Sequence, residues 1–159
     1  MALLAMQAMP LNGQDPHTAG RALLAQLFYA QTGQPMPRLC VTPRGKPYFP
    51  DDPIHFSISH CATHVFCVLS TVPVGIDAEC LTRQVKPALA KKILSPGEYA
   101  QYLEAKDPNL ALLTFWVLKE AAVKCSGEGL QGYPSHTNFS LSDPRVRQID
   151  GCVVAIIEE

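Results

Sequence analysis

Two carboxylates, Asp77 and Glu79, lie two residues apart in the run Val74-Gly75-Ile76-Asp77-Ala78-Glu79-Cys80. If that run is a strand, its side chains alternate: both acids share one face, while Ile76, Ala78 and Cys80 share the other and enter a core. Hard oxygen ligands on one face suit Mg²⁺, which is usually held by one or two carboxylates plus substrate phosphates. Taken alone, the pattern is more ordinarily that of a half-buried strand with two solvated acids. A second set lies in Phe115-Trp116-Val117-Leu118-Lys119-Glu120-Ala121-Ala122-Val123-Lys124. Glu120 and Lys124 are four apart and stack on one helix face; exposed, such a pair is worth only about 0.2–0.5 kcal/mol. Here, however, Lys119 and Glu120 are the first charges after Asp107 in an otherwise apolar stretch, a setting in which charges carry function more often than on a polar helix. Lys119 sits about 100° round from Glu120 and reads equally well as a solvated residue. A third set is Ser57-Ile58-Ser59-His60, with Gly45-Lys46-Pro47 upstream. Adjacent serine and histidine on a strand face opposite ways, and no G-x-S-x-G elbow is present, so hydrolysis by a serine nucleophile is not indicated.

The elements that must position these groups can be read from periodicity and caps. Ala19–Thr32 has helical spacing through Leu23, Leu24, Leu27 and Phe28, with Gly33 as a stop. Residues 34–53 are rich in proline and turn formers, with one short strand expected at Leu39–Thr42. Strands are expected at Ile54–Ser59, Val65–Ser70 and Val74–Cys80, and a helical stretch from near Val85. Ser95-Pro96-Gly97-Glu98 reads as a capping box with proline at the first helical position. Asp107-Pro108 opens the longest helix, to about Ser126, and strands are expected at Asn138–Ser142 and Cys152–Ile157. Ala22-Leu23-Leu24 recurs as Ala111-Leu112-Leu113, and Phe56-Ser57-Ile58-Ser59 recurs as Phe139-Ser140-Leu141-Ser142. Two such repeats suggest a duplication, with halves at 1–72 and 73–159 packed around a cleft.

Composition limits the classes. A chain of 159 residues with 47% hydrophobic and 17% charged residues is globular and long enough to bury a core without disulfides. A net charge of −1 gives no general field for nucleic acid. The apolar run near Leu110–Leu118 is too short to span a bilayer, and Met1–Pro10 lacks the positive n-region of a signal peptide. Six cysteines sit far apart without a CxxC pair, so neither a zinc site nor a disulfide framework is indicated, and most read as small buried hydrophobes in a reducing, cytoplasmic compartment.

In this order, the segments Gly45-Lys46-Pro47, Ser57-Ile58-Ser59-His60, Gly75-Ile76-Asp77-Ala78-Glu79, Trp116-Val117-Leu118-Lys119-Glu120-Ala121-Ala122-Val123-Lys124 and Gly127-Glu128-Gly129-Leu130 resemble the surfactin-synthetase-activating (Sfp-like) class of 4′-phosphopantetheinyl transferases. The third and fourth segments together are the specific ones. The resemblance implies an α+β pseudo-dimer of two helix-plus-antiparallel-sheet halves, with coenzyme A in the cleft between them. It implies Mg²⁺ on Asp77, Glu79 and Glu120, and Lys124 on the phosphates. It places Ser59 and His60 at the 3′-phosphate end of coenzyme A, with Lys46 and Arg21 also on the nucleotide. The implied reaction moves phosphopantetheine to a serine of an apo acyl or peptidyl carrier protein and releases adenosine 3′,5′-bisphosphate, with Glu120 or a water on the metal taking the serine proton. A monomer is expected, since two halves in one chain build the cleft; a module that binds coenzyme A or a carrier protein without catalysis is the alternative. The family usually has a first strand and basic residues ahead of the first helix. Here the residues before that helix are Asn12-Gly13-Gln14-Asp15-Pro16-His17, with no Lys or Arg before Arg21, so that strand is expected to be missing and a sheet edge left open.

Overall fold

Three helices begin at a capped proline. Asp15 accepts from the Thr18 N–H at 2.9 Å and opens α1 (Pro16–Thr32). Ser95 and Glu98 form the expected capping box and open α3 (Pro96–Glu104). Asp107 accepts from the Leu110 N–H at 3.1 Å and opens α4 (Pro108–Ser126), which stops at Gly127 in the left-handed region, φ 70°. Each such cap is worth about 1 kcal/mol. A short α2 (Ala88–Ile93) precedes α3 and begins after Pro87 rather than at Val85. The strands are β1 (Leu3–Pro10), β2 (Cys40–Val41), β3 (Pro47–Tyr48), β4 (His55–His60), β5 (His64–Ser70), β6 (Val74–Cys80), β7 (Val146–Ile149) and β8 (Cys152–Glu158). This computed structural model describes residues 2–127 and 137–159; Glu128, Gly129 and Leu130 of the fifth resembling segment lie outside them.

The fold is α+β. Two antiparallel three-stranded sheets take the orders β1-β5-β4 and β6-β8-β7, beside a small β2-β3 ribbon. Each large sheet belongs to a strand–helix–strand–strand run in which the third strand lies between the first and second. α1 buries Leu23, Leu24, Leu27 and Phe28 with Phe56 and Leu69 of the first sheet. The opposite face of that sheet, through Phe66 and Val68, meets Val74, Ile76 and Ala78 of the second. α4 covers the far face of the second sheet with Leu113, Val117 and Ala121. Gly75 sets how closely α4 approaches: a Cβ there would lie 2.0 Å from the Ala121 carbonyl oxygen and 2.5 Å from the Cys125 nitrogen. No side chain fits between strand and helix at that point.

The two sheets share no ladder hydrogen bonds among the described residues. They are joined by side chains. The Ile76 and Ala78 N–H groups of β6 each donate at 3.1 Å, to the Ser57 and Ser59 hydroxyls of β4. The constant offset means that β4 and β6 run side by side in the same direction.

Several expectations change. The first strand is present: β1 pairs antiparallel with β5 from Leu3↔Ser70 to Pro10↔His64 and covers the edge expected to be open. Its residues, Leu-Leu-Ala-Met-Gln-Ala-Met-Pro, include no β-branched or aromatic side chain, so propensity conceals it. Residues 138–142 are not a strand; their backbone is held by side chains instead, the Phe139 N–H on Glu98 and the Leu141 N–H on Gln101. The repeat of Phe-Ser-Ile-Ser as Phe-Ser-Leu-Ser therefore joins a strand to an irregular segment, and β7, not apparent from the sequence, occupies the second sheet's matching position.

Lys119 is not solvated. It is fully buried and pairs with the equally buried Glu98 at 2.6 Å. That carboxylate also accepts from the Ser95 N–H at 2.9 Å, the Phe139 N–H at 2.8 Å and the Thr137 hydroxyl at 3.0 Å, and Lys119 also donates to Thr137. Burial alone would push the Glu98 carboxyl up; Lys119 and the backbone donors outweigh it and hold it below the usual carboxylate range. Lys119→Met strands a buried carboxylate and is expected to cost about 3–5 kcal/mol in urea unfolding. The double variant Glu98→Gln/Lys119→Met should recover most of that loss. Because the folded pKa of Glu98 is depressed, the pair contributes fully above the unfolded value and is lost as pH falls through the folded one. A single-variant cost below about 1 kcal/mol, the range of exposed pairs, would contradict this burial.

Candidate functional site

β6 alternates as its sequence requires: Ile76 and Ala78 are buried in the apolar layer between the sheets, and Asp77 and Glu79 face the other way. Gly75 is on the Asp77 side, where its missing side chain lets α4 come close and carry Lys124 to the strand. The Lys124 ammonium donates to Asp77 Oδ1 at 3.1 Å, to the Ile76 carbonyl at 3.0 Å and to the Ile58 carbonyl at 3.4 Å. Ser59 completes the junction, accepting from the Ala78 N–H and donating to Asp77 Oδ1 at 3.2 Å. One lysine thus touches β4, β6 and the Asp77 carboxylate together.

Asp77 is only 8% exposed. Burial pushes its carboxyl up, against the lowering pull of Lys124 and the Ser59 hydroxyl. Glu79, half-buried, is likewise pushed up by burial; Arg83, its ion-pair partner, opposes this, and the Asp77 charge adds to it. Two desolvated carboxylates on one face, each raising the cost of ionising, form a hard donor set that a small divalent cation would relieve. Glu120 lies one turn before Lys124 on the same face of α4 and is half-buried. Oxygens of Asp77, Glu79 and Glu120 do not gather within 4.8 Å of one another among the described residues; Asp77 is turned to Lys124 and Glu79 to Arg83.

Two cavities flank the seam. One, of about 660 Å³, is lined by Gly13, Pro16, His60, Cys61, Glu79 and Arg83 among others. The other, of about 260 Å³, is lined by Arg44, Lys46, Ser57, Ile58 and Lys124 among others. Lys46 reaches across to donate to the Cys125 carbonyl at 2.8 Å, at the negative end of α4. Burial holds its ammonium below the usual lysine range. The residues expected on the nucleotide therefore divide. Lys46 opens on the smaller cavity and exposed His60 on the larger; Ser59 is buried in the junction, and Arg21, on α1, lines neither. Arg44 and Arg83 at the two cavities were not singled out by sequence; their only signal was basic charge near the motif segments.

A sequence model of the 4′-phosphopantetheinyl transferase superfamily matches residues 73–152, which hold Asp77, Glu79, Glu120 and Lys124. The chain is 40% identical over 90 residues to 4′-phosphopantetheinyl transferase Sfp of Bacillus subtilis (strain 168), covering 54% of this chain and 39% of that protein. It is 37% identical over 89 residues to 4′-phosphopantetheinyl transferase gsp of Aneurinibacillus migulanus, covering 54% and 36%. A longer match, 29% over 132 residues, is to 4′-phosphopantetheinyl transferase psf-1 of Bacillus pumilus, covering 78% and 55%. The chain thus spans less than two thirds of the length of each of these relatives.

Because the folded pKa of Asp77 is raised, its contribution to stability is fully present below its unfolded value and is lost as pH rises through the folded one. Asp77→Asn keeps acceptors for Lys124 and Ser59 but carries no charge. It is expected to fold, with unfolding free energy within about 1 kcal/mol of wild type and less decline from mildly acidic to neutral pH. A steeper decline in the variant would reverse the sign assigned to this site.

Proposed function

The chain belongs to the 4′-phosphopantetheinyl transferase superfamily, and from that premise we propose that it transfers 4′-phosphopantetheine from coenzyme A to a serine of an apo acyl or peptidyl carrier protein. The carrying observation is that Asp77, Glu79, Glu120 and Lys124 all fall within the matched segment, with Asp77 and Lys124 meeting 3.1 Å apart at the seam. The products would be the loaded carrier protein and adenosine 3′,5′-bisphosphate. The proposal includes a cytoplasmic enzyme active as a monomer, built as a pseudo-dimer of halves 1–72 and 73–159; no helix among the described residues is long and apolar enough to cross a membrane.

Asp77, Glu79 and Glu120 would hold Mg²⁺, which when bound supplies positive charge beside the pyrophosphate of coenzyme A. The chain's own residues do the rest. Lys124 is fixed by two carbonyls and a carboxylate, so its charge is positioned before a substrate arrives. Lys46, partly buried and left with a lowered pKa, gains from an anion in the cavity it shares with Lys124, which suits phosphate groups of the donor. His60, which lines the larger cavity, would hold the 3′-phosphate. The serine hydroxyl attacks phosphorus as the bond to the adenosine bisphosphate oxygen breaks, and its proton passes to the Glu120 carboxylate or to solvent. The binding-only alternative is disfavoured because all three carboxylates and Lys124 are retained.

The test is intact-mass measurement of apo-carrier proteins incubated with coenzyme A, Mg²⁺ and the chain. Asp77→Ala and Lys124→Ala are each expected to lower turnover more than tenfold, over about 1.4 kcal/mol of barrier. In parallel, saturating Mg²⁺ at about 100 times its dissociation constant should stabilise wild type by about 2.7 kcal/mol and leave Asp77→Asn unmoved. Near-wild-type turnover in Asp77→Ala would remove this assignment.

A further inference from the structure

Three of the six cysteines meet. Cys61, Cys80 and Cys152 bring their sulfurs within 4.8 Å of one another. Cys61 Sγ and Cys152 Sγ are 3.4 Å apart. Thr63 Oγ1 lies 3.6 Å from Cys61 Sγ, 3.5 Å from Cys80 Sγ and 4.0 Å from Cys152 Sγ. The three cysteines are at most 9% exposed. Four donor atoms therefore lie close enough together to share one ion. A zinc ion bonded to three sulfurs at about 2.3 Å and one oxygen at about 2.1 Å requires sulfur–sulfur edges of about 3.8 Å and sulfur–oxygen edges of about 3.6 Å. The Cys61–Cys152 edge of 3.4 Å lies a little below the first value, and the three sulfur–oxygen distances of 3.5, 3.6 and 4.0 Å bracket the second.

Topology, not sequence spacing, assembles the set. Cys80 and Cys152 are direct cross-strand partners at the end of the β6–β8 pair. Cys61 and Thr63 belong to the turn between β4 and β5, whose Cys61 N–H donates to the His64 carbonyl at 3.0 Å. Cys61 lines the larger cavity, which gives an ion a way in.

We propose that Cys61, Cys80 and Cys152, with the Thr63 hydroxyl, form a Zn²⁺ site separate from the carboxylates. Three soft thiolates select a borderline-soft d¹⁰ cation over Mg²⁺, and their three charges leave the bound site at −1, less costly to bury than the −2 left by a monovalent ion. On binding, each thiol loses its proton to solvent as its sulfur bonds the metal; no electrons change hands. The ion ties the β4–β5 turn to β6 and β8, closing the His60–Glu79 end of the seam between sheets.

The reduced chain is titrated anaerobically with Co²⁺ as a spectroscopic probe, and with Zn²⁺ against a chromophoric chelator. One Zn²⁺ per chain held against the chelator and a thiolate-to-cobalt charge-transfer band are expected, both persisting in Asp77→Asn, which lacks a ligand of the proposed carboxylate site, and in Cys40→Ser. Cys61→Ser, Cys80→Ser and Cys152→Ser should each weaken Zn²⁺ at least tenfold, and Thr63→Val less. Should a serine variant not fold, X-ray absorption of zinc-loaded wild type still decides, because three sulfurs are required. An oxygen-only shell, a two-sulfur shell, or oxidation of Cys61 and Cys152 to a disulfide without metal uptake overturns the site.

Discussion

A single ammonium bridges two sheets at their polar seam. Lys124 donates to a carbonyl of β4, a carbonyl of β6 and the Asp77 carboxylate, where β4 and β6 run side by side without ladder bonds. Ser57 and Ser59 supply the remaining links. Main-chain pairing is what usually welds strands, and here polar side chains replace it at the place where coenzyme A is proposed to bind. The constraint propagates outward. Lys124 reaches the strand because α4 lies against Gly75, and α4 is held there by its apolar face on the second sheet, by the Asp107 cap at its start and by Lys119 on its flank.

That anchor is a second polar centre inside an apolar region. Glu98 caps α3, pairs with α4 and takes the Phe139 N–H. A buried ion pair is weak evidence for added stability, since desolvation offsets most of its attraction. What this one supplies is specificity of position: three segments distant in sequence converge on one carboxylate, so rotation of α4 about its axis would strand Lys119.

Much of this was legible in the sequence where one rule acts alone. Val74–Cys80 alternates cleanly, and its observed bounds match the expected ones. Capping motifs at Ser95 and Asp107 locate two helices because capping is local. β1 was not legible, since Leu, Ala, Met and Gln favour helix and only pairing with β5 makes the segment extended. β7 carries Arg147 and Gln148 and is recognisable only once β8 lies beside it. At the site, the shared face of Asp77 and Glu79 followed from period two. The burial of Lys119 did not follow from period 3.6, because a lysine on an apolar helix is solvated or buried according to whether a distant carboxylate arrives. The cysteine cluster is likewise a product of tertiary structure.

The seam between β4 and β6 also bears on synthesis of the chain. The first sheet can close once Ser70 has been made, because β1, β4 and β5 all precede it. β6 follows at once, but its ladder partner β8 begins only at Cys152. During the interval between them, β6 is a strand without a neighbour on that side, and such an edge invites pairing with other nascent chains. Asp77 and Glu79 place two negative charges on it throughout that wait. The same carboxylates that suit a metal in the finished protein would act as gatekeepers on the ribosome, repelling identical strands until α4 and β8 arrive.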